Sequence, residues 1–252
     1  MIARRLHALA VACAALAACT TAPAPATAAD VLAANTAARG GAAKLAALQS
    51  VHIELEITEP RFTVTGDYYA GRNGWVRIDI SDKGQRVFTE ALGPDGGWQM
   101  LQDGVPKDMS ADGEASLKRG IVGNLYSLGE LAGLGYAVEI SGETEDGVEL
   151  RTTSPDGFVE YHVLDAGTWL EIASSEVSAL HPDLDATKEP QETFISDWQT
   201  VDGIIFANVR EKRDTATGKI LQTTRVTSRE LNPALDPTHF ARPAAPDAPP
   251  TE

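Results

Sequence analysis

Apolar and polar residues alternate with a period of two along most of this chain. In residues 51–59, Val51, Ile53, Leu55 and Ile57 fall on one face and His52, Glu54 and Glu56 on the other, which predicts a half-buried β-strand. Phe62, Val64 and Tyr68 share a face in the next segment. Val76, Ile78 and Ile80 share one after that, with Trp75, Arg77 and Asp79 opposite. The connecting segments GRNG (71–74) and SDKG (81–84) carry hairpin turn residues. Residues 85–93 and 96–104 complete a five-strand meander. Strands resume at Tyr136 and continue to residue 231, separated by turns at Asp146-Gly147, Asp156-Gly157, Asp202-Gly203 and Thr217-Gly218 and by a proline-flanked loop, ALHPDLDATKEP.

Helical patterns are few. Asp30 can N-cap a short alanine-rich helix that Gly40-Gly41 ends, and a second short helix carries Leu45 and Leu48. Between the two strand groups, Leu117, Ile121, Leu125 and Leu128 form an amphipathic stripe that predicts a helix over 110–128, capped by Ser110 or Asp112. Gly120 and Gly123 weaken it by ~1 kcal/mol each relative to alanine. The sum is a mainly β, α+β chain of about 11–12 antiparallel strands with short helices. No βαβ rhythm occurs, so no parallel nucleotide-binding sheet is expected.

This pattern makes more apolar sheet than the small alanine- and glycine-rich helices can cover. A twisted sheet of this size curls. Its inner face is then either packed solid or left as a cavity of the kind that holds lipophilic ligands. Phe62, Val64, Tyr68, Val159, Tyr161, Phe194 and Phe206 are the strand residues expected to fill or line it, and the helical stripe Leu117, Ile121, Leu125 and Leu128 is expected to close it.

The N-terminus alters the picture. Arg4 and Arg5 precede an apolar run to Ala18, the layout of a signal peptide. The run ends in Leu16-Ala17-Ala18-Cys19, which resembles the lipobox of bacterial lipoproteins. That resemblance implies a signal peptide over 1–18, lipidation of Cys19, loss of Cys13, and Thr20 favouring the periplasmic face of an outer membrane. Ordinary secretion, with cleavage near Ala26-Thr27-Ala28 and a soluble periplasmic product, is the alternative. Residues 19–29 read as a Pro/Ala tether, 30–242 as the folded domain and 243–252 as a disordered tail. The formal charge of −15 repels phosphates and anionic head groups. Nucleic acid is therefore not an expected partner, and membrane attachment is expected through acyl chains.

Candidate chemistry is sparse. His52, His162, His181 and His239 show no metal-ligand spacing. Asp183 and Asp185, with Glu189, could hold a hard cation, but a solvated acidic loop explains them equally. DTATG (214–218) reads as a hairpin turn, and no nucleophile elbow or phosphate loop occurs. No metal, cofactor or catalytic residue is expected, although acid pairs leave a hydrolase open.

Residues 34–57, ANTAARGGAAKLAALQSVHIELEI, together with the meander, helical insert and returning strands, resemble the LolA/LolB-like superfamily of bacterial envelope lipoprotein carriers and sorting proteins. DWQTVDGI (197–204) and Phe240-Ala241-Arg242-Pro243 match its closing motifs. The resemblance covers about residues 30–243. It implies an unclosed half-barrel capped by helices, monomeric and non-enzymatic, whose partner is a lipid or an acylated protein. No cavity arginine is identifiable from the sequence. A hydrolase- or protease-associated envelope domain and a packed adaptor without ligand remain the alternatives.

Overall fold

The structure, a computed structural model, describes residues 27–244. The signal peptide, Cys13, Cys19, most of the tether and residues 245–252 lie outside the described residues. Two helices come first, α1 (Ala28–Ala38) and α2 (Ala42–Ala47). Six strands follow: β1 (Ser50–Glu59), β2 (Phe62–Gly71), β3 (Val76–Asp82), β4 (Gln85–Gly93), β5 (Gly96–Leu101) and β6 (Pro106–Asp108). The helical insert consists of α3 (Ala111–Leu125) and a 3₁₀ helix (Leu128–Leu134). Seven strands complete the sheet: β7 (Ala137–Glu143), β8 (Gly147–Thr153), β9 (Val159–Asp165), β10 (Glu171–Ser178), β11 (Glu189–Val201), β12 (Ile204–Asp214) and β13 (Ile220–Leu231). A last turn of helix is α4 (Pro237–Phe240).

All 13 strands form one antiparallel sheet in the order β6-β5-β4-β3-β2-β1-β13-β12-β11-β10-β9-β8-β7. Each strand pairs with its sequence neighbour except at the centre, where β1 pairs with β13 from Val51↔Leu231 to Thr58↔Thr223. The two edges, β6 and β7, are the strands that flank the helical insert. The sheet is therefore open, and the insert bridges its opening. β6 is the strand the alternation does not reveal, because Pro-Lys-Asp is too short to show a period and begins with proline.

The helix boundaries differ from expectation for local reasons. Thr27, not Asp30, caps α1, and its hydroxyl accepts from the Asp30 amide. The Thr27 amide donates in return to the Asp30 carboxylate at 3.1 Å, a reciprocal box that starts the helix at Ala28, inside the expected tether. Ser110 caps α3, accepting from Gly113 at 3.0 Å. Tyr126 is extended, so α3 stops at Leu125. Ser127 and Glu130 then form a second capping box, so Leu128 belongs to the 3₁₀ helix and not to the stripe of α3.

α3 lies across β1–β4 and buries Leu117, Ile121 and Leu125 against Ile53, Tyr68, Val76 and Phe206. Both of its ends are held. Arg72 donates to the carbonyls of Leu125 and Leu45 at 2.8 and 2.9 Å and pairs with Glu130 at 2.7 Å. A guanidinium there satisfies otherwise orphaned C-terminal carbonyls. At the other end the Asp183 carboxylate accepts from the Ser110 amide at 2.6 Å. It sits so close to Gly113 that a Cβ there would meet it at 1.9 Å.

The outer face of the first strands is covered by the C-terminal segment. Phe240 is buried there, and its carbonyl accepts from Trp98 Nε1 at 3.0 Å. The two sequence motifs in α1–α2 and the β11–β12 turn also meet. The Ile205 amide donates to the Arg39 carbonyl at 2.9 Å, and Lys44 reaches the Gly203 carbonyl at 3.3 Å. Gly40 has φ +117°, and a Cβ on it would lie 2.3 Å from the Gly203 carbonyl oxygen. Gly40→Ala should therefore lower stability by roughly 1–3 kcal/mol through backbone strain, with the clash adding to it. Chemical denaturation checks this, and a shift in midpoint within error of wild type would refute the packing argument.

Candidate functional site

The interior of the open sheet divides into two compartments. The first has a volume of about 610 Å³ and is lined mainly by apolar residues of β1–β4, among them Ile57, Phe62, Val64, Ile78, Ile80 and Phe88. Leu180, Pro182 and Leu184 from the loop after β10, with Gly113 and Ser116 of α3, close it from above. The size is ordinary for a small-ligand site of about 300–1,000 Å³. Its rim is apolar and wet: Phe62 is 49% exposed, Leu101 40% and Leu184 61%.

Among the polar side chains that face this compartment is Glu90, opposite Ile78, which makes no hydrogen bond to the described residues. Burial pushes its carboxyl up to about 7, and the Asp183 carboxylate adds to the rise. Asp183 and Asp185 do not gather into a cation site. Asp183 is engaged by α3, and among the described residues no group of metal-ligating side chains converges.

The second compartment, about 350 Å³, lies under the other half of the sheet and is charged. Strand parity explains why. On β9 the residues facing it are Glu160 and His162, and on β10 Ser174, Glu176 and Ser178. On β12 the inward face runs from Ile204 and Phe206 in the core to Arg210 and Lys212 in the compartment. Arg39 at the end of α1 and Arg119 of α3 complete it. Ser116 and Leu180 line both compartments, so the two are neighbours there.

His162 is the centre of the polar network. Its Nδ1 is 2.7 Å from Glu171 Oε1 and its Nε2 is 3.1 Å from Thr152 Oγ1. The arrangement has the outline of a hydroxyl–imidazole–carboxylate relay. Its protonation is wrong for one: burial alone would lower the imidazole pKa, but the carboxylates of Glu160 and Glu171 outweigh it and push it up to about 9. At neutral pH the ring is an imidazolium, which donates protons and cannot accept one from Thr152. Glu176 is matched by Lys212 at 2.9 Å.

The expected site residues separate accordingly. Phe62 and Val64 line the apolar compartment. Tyr68, Leu117, Ile121, Leu125 and Phe206 pack together beneath α3 as core, and Leu128 packs beside Val31 and Leu164 at the edge of the charged compartment. Val159, Tyr161 and Phe194 are not brought to either compartment. Glu160 and His162 point inward on β9, so Val159 and Tyr161 point outward. Phe194 lies between the buried Thr193 and Ile195, is 38% exposed, and carries the Arg213 guanidinium 4.6 Å from its ring centre. The charged lining was missed because polar strand residues read as solvent-facing. The parity linking Ile204 and Phe206 to Arg210 and Lys212 was the available signal.

No family model matches the sequence, and no curated protein matches it either. Solved structures do resemble it. A DUF1329 family protein from Desulfovibrio piger superposes with TM-score 0.56 at 14% identity, over 84% of this chain and 95% of that one. An outer membrane lipoprotein-sorting protein domain from Vibrio parahaemolyticus gives 0.56 at 10% identity, over 84% and 95%. A LolA superfamily protein from Nitrosomonas europaea gives 0.54 at 10%, over 77% and 90%. The chain has the LolA-like fold, a mainly β, unclosed antiparallel half-barrel with helices across its opening.

Proposed function

We propose that this protein is a non-enzymatic, lipid-anchored envelope protein that holds an acyl chain, as a free lipid or as part of an acylated protein, in its apolar compartment. The observation that carries the reading is the compartment itself: about 610 Å³, apolar on its strand walls and open at a rim of exposed Phe62, Leu101 and Leu184. Burying each methylene there contributes about 0.8 kcal/mol, so a long chain gains enough to bind without a specific polar contact. The fold shared with the lipoprotein-sorting domain and the LolA superfamily protein supports the same reading, as does the lipobox-like Leu16–Cys19 segment. On this reading the protein works as a monomer at the periplasmic face of the outer membrane.

Ile121 is on the core-facing side of α3, so a larger side chain there would test the fold and not the cavity. Val64 faces the compartment and is only half-buried. Val64→Trp should weaken binding of a fluorescent fatty acid by about tenfold or more while the sheet stays folded, because an indole fills space the chain needs. Fluorescence titration with circular dichroism checks both halves. A wild-type protein that binds neither the probe nor copurifying lipid would overturn the reading in favour of a packed adaptor.

A further inference from the structure

The charged compartment holds more positive charge than its carboxylates neutralise. Glu160 and Glu171 both flank His162, at 3.8 and 2.7 Å, and Glu176 is engaged by Lys212, so three carboxylates face five cationic side chains. That leaves Arg39, Arg119 and Arg210, none of which makes an ion pair among the described residues. Arg39 has only long contacts of 3.4 Å to the carbonyls of Ile205 and Tyr126. Arg119 rests over the Phe158 ring at 4.0 Å, its charge still free. Arg210 faces the compartment with no side-chain hydrogen bond. A fourth guanidinium, Arg229, adjoins Arg39 and Arg210, with one of its nitrogens buried and unpartnered. Its pKa falls to about 10 through burial and the charges of Arg210 and Arg39.

Gathering cations in an enclosed space is unfavourable, since each loses hydration and repels the next. The rest of the chain offers an abundance of acids, at a formal charge of −15. Glu171, the carboxylate whose charge reaches both Arg39 and Arg210, is already hydrogen-bonded to His162. An arrangement that leaves three arginines facing one cavity is complementary to an anion that arrives from outside.

We propose that the charged compartment receives the anionic head, a carboxylate or a phosphate, of an amphiphile whose acyl tail occupies the apolar compartment. This deepens the acyl-binding reading above and rests on it. The compartments share the wall residues Ser116 and Leu180, so a molecule that occupies both would cross there, beside the N-terminal half of α3. Arg210 and Arg39 also line an adjoining recess beside Arg229, and Arg119 comes from α3. The head group would replace the missing counter-ions, which selects anionic over neutral amphiphiles of equal chain length.

The test compares dansyl-labelled dodecanoate with its neutral methyl ester, and dodecyl phosphate with inorganic phosphate as competitors, on the purified protein. The free acid should bind about tenfold or more tighter than the ester. Arg210→Gln should remove that preference, weakening the acid about tenfold and leaving the ester unchanged. Arg119→Gln, which breaks no hydrogen bond, should do the same in part, and it serves if Arg210→Gln fails to fold by circular dichroism. Dodecyl phosphate should displace the probe where inorganic phosphate at the same concentration does not. Equal affinity for acid and ester in the wild type overturns the head-group assignment and leaves the acyl-binding reading intact. Displacement by inorganic phosphate alone overturns the amphiphile and assigns a free-anion site. Failure of every probe to bind overturns both.

Discussion

Replacing Cys19 with serine should move the protein from the membrane to the soluble fraction and abolish its labelling by fatty-acid precursors. The expectation rests on the Leu16-Ala17-Ala18-Cys19 segment after Arg4, Arg5 and a short apolar run. Among the described residues no helix is long and apolar enough to cross a membrane. The acidic surface cannot hold anionic lipids. Attachment through acyl chains at ~0.8 kcal/mol per buried CH₂ would therefore be lost in one step when its thiol is removed. Cys13→Ser should leave the processed protein unchanged. Fractionation with metabolic labelling reads the outcome, and undiminished membrane association of the Cys19 variant would remove the anchor from the proposal.

A second large effect is expected at Glu90. Its folded pKa, about 7, lies above the ordinary 4.5, because the apolar compartment disfavours the charged form and Asp183 repels it. The folded state then binds the proton more tightly than the unfolded one. Stability is highest below the unfolded value and is lost as pH rises from 4.5 through about 7. The loss amounts to roughly 3 kcal/mol at 1.36 kcal/mol per pH unit between those two values. Glu90→Gln should flatten that slope, so the variant exceeds wild type by this amount at pH ~8 and matches it near pH ~4. His162 adds a separate decline at higher pH. Its folded pKa of about 9 lies above 6.5, so its contribution is complete below 6.5 and is lost as pH rises through 9. Denaturant titrations across pH separate the two windows. An unchanged acid-side slope in Glu90→Gln would mean the carboxyl is solvated.

The strands show how far a linear pattern reaches. In β1 the alternation of Val51, Ile53, Leu55 and Ile57 gives the buried face correctly, because one side of that strand meets packed core and the other meets water. The same rule fails in β9. There Val159 and Tyr161 are the apolar residues and Glu160 and His162 the polar ones, yet the polar pair faces inward. A period of two states that alternate residues share a face, but it does not say which face is inside. Hydrophobicity decides that only where the interior is apolar. Under β9 and β10 the interior is charged, so Val159 and Tyr161 went to the outer surface. Phe194 did so under Arg213.

By itself the sequence determined most of the elements and their order, because turn residues and period are local properties; the three-residue β6 and the separate 3₁₀ helix are the exceptions. The reciprocal caps at Thr27–Asp30 and Ser127–Glu130 are local too, and moved boundaries by only a few residues. Tertiary structure alone decided three things. It joined β1 to β13 across 180 residues or so of chain, which no local rule fixes. It used Asp183, from a distant loop, to hold the start of α3, giving an acid that looked like a cation ligand a hydrogen-bonding role instead. It brought Arg39, Arg119 and Arg210 from two helices and a strand into one cavity. The physical reason is common to all three. Pairing, capping and charge clustering depend on distances through space, and residues far apart in sequence acquire those distances only when the sheet has formed.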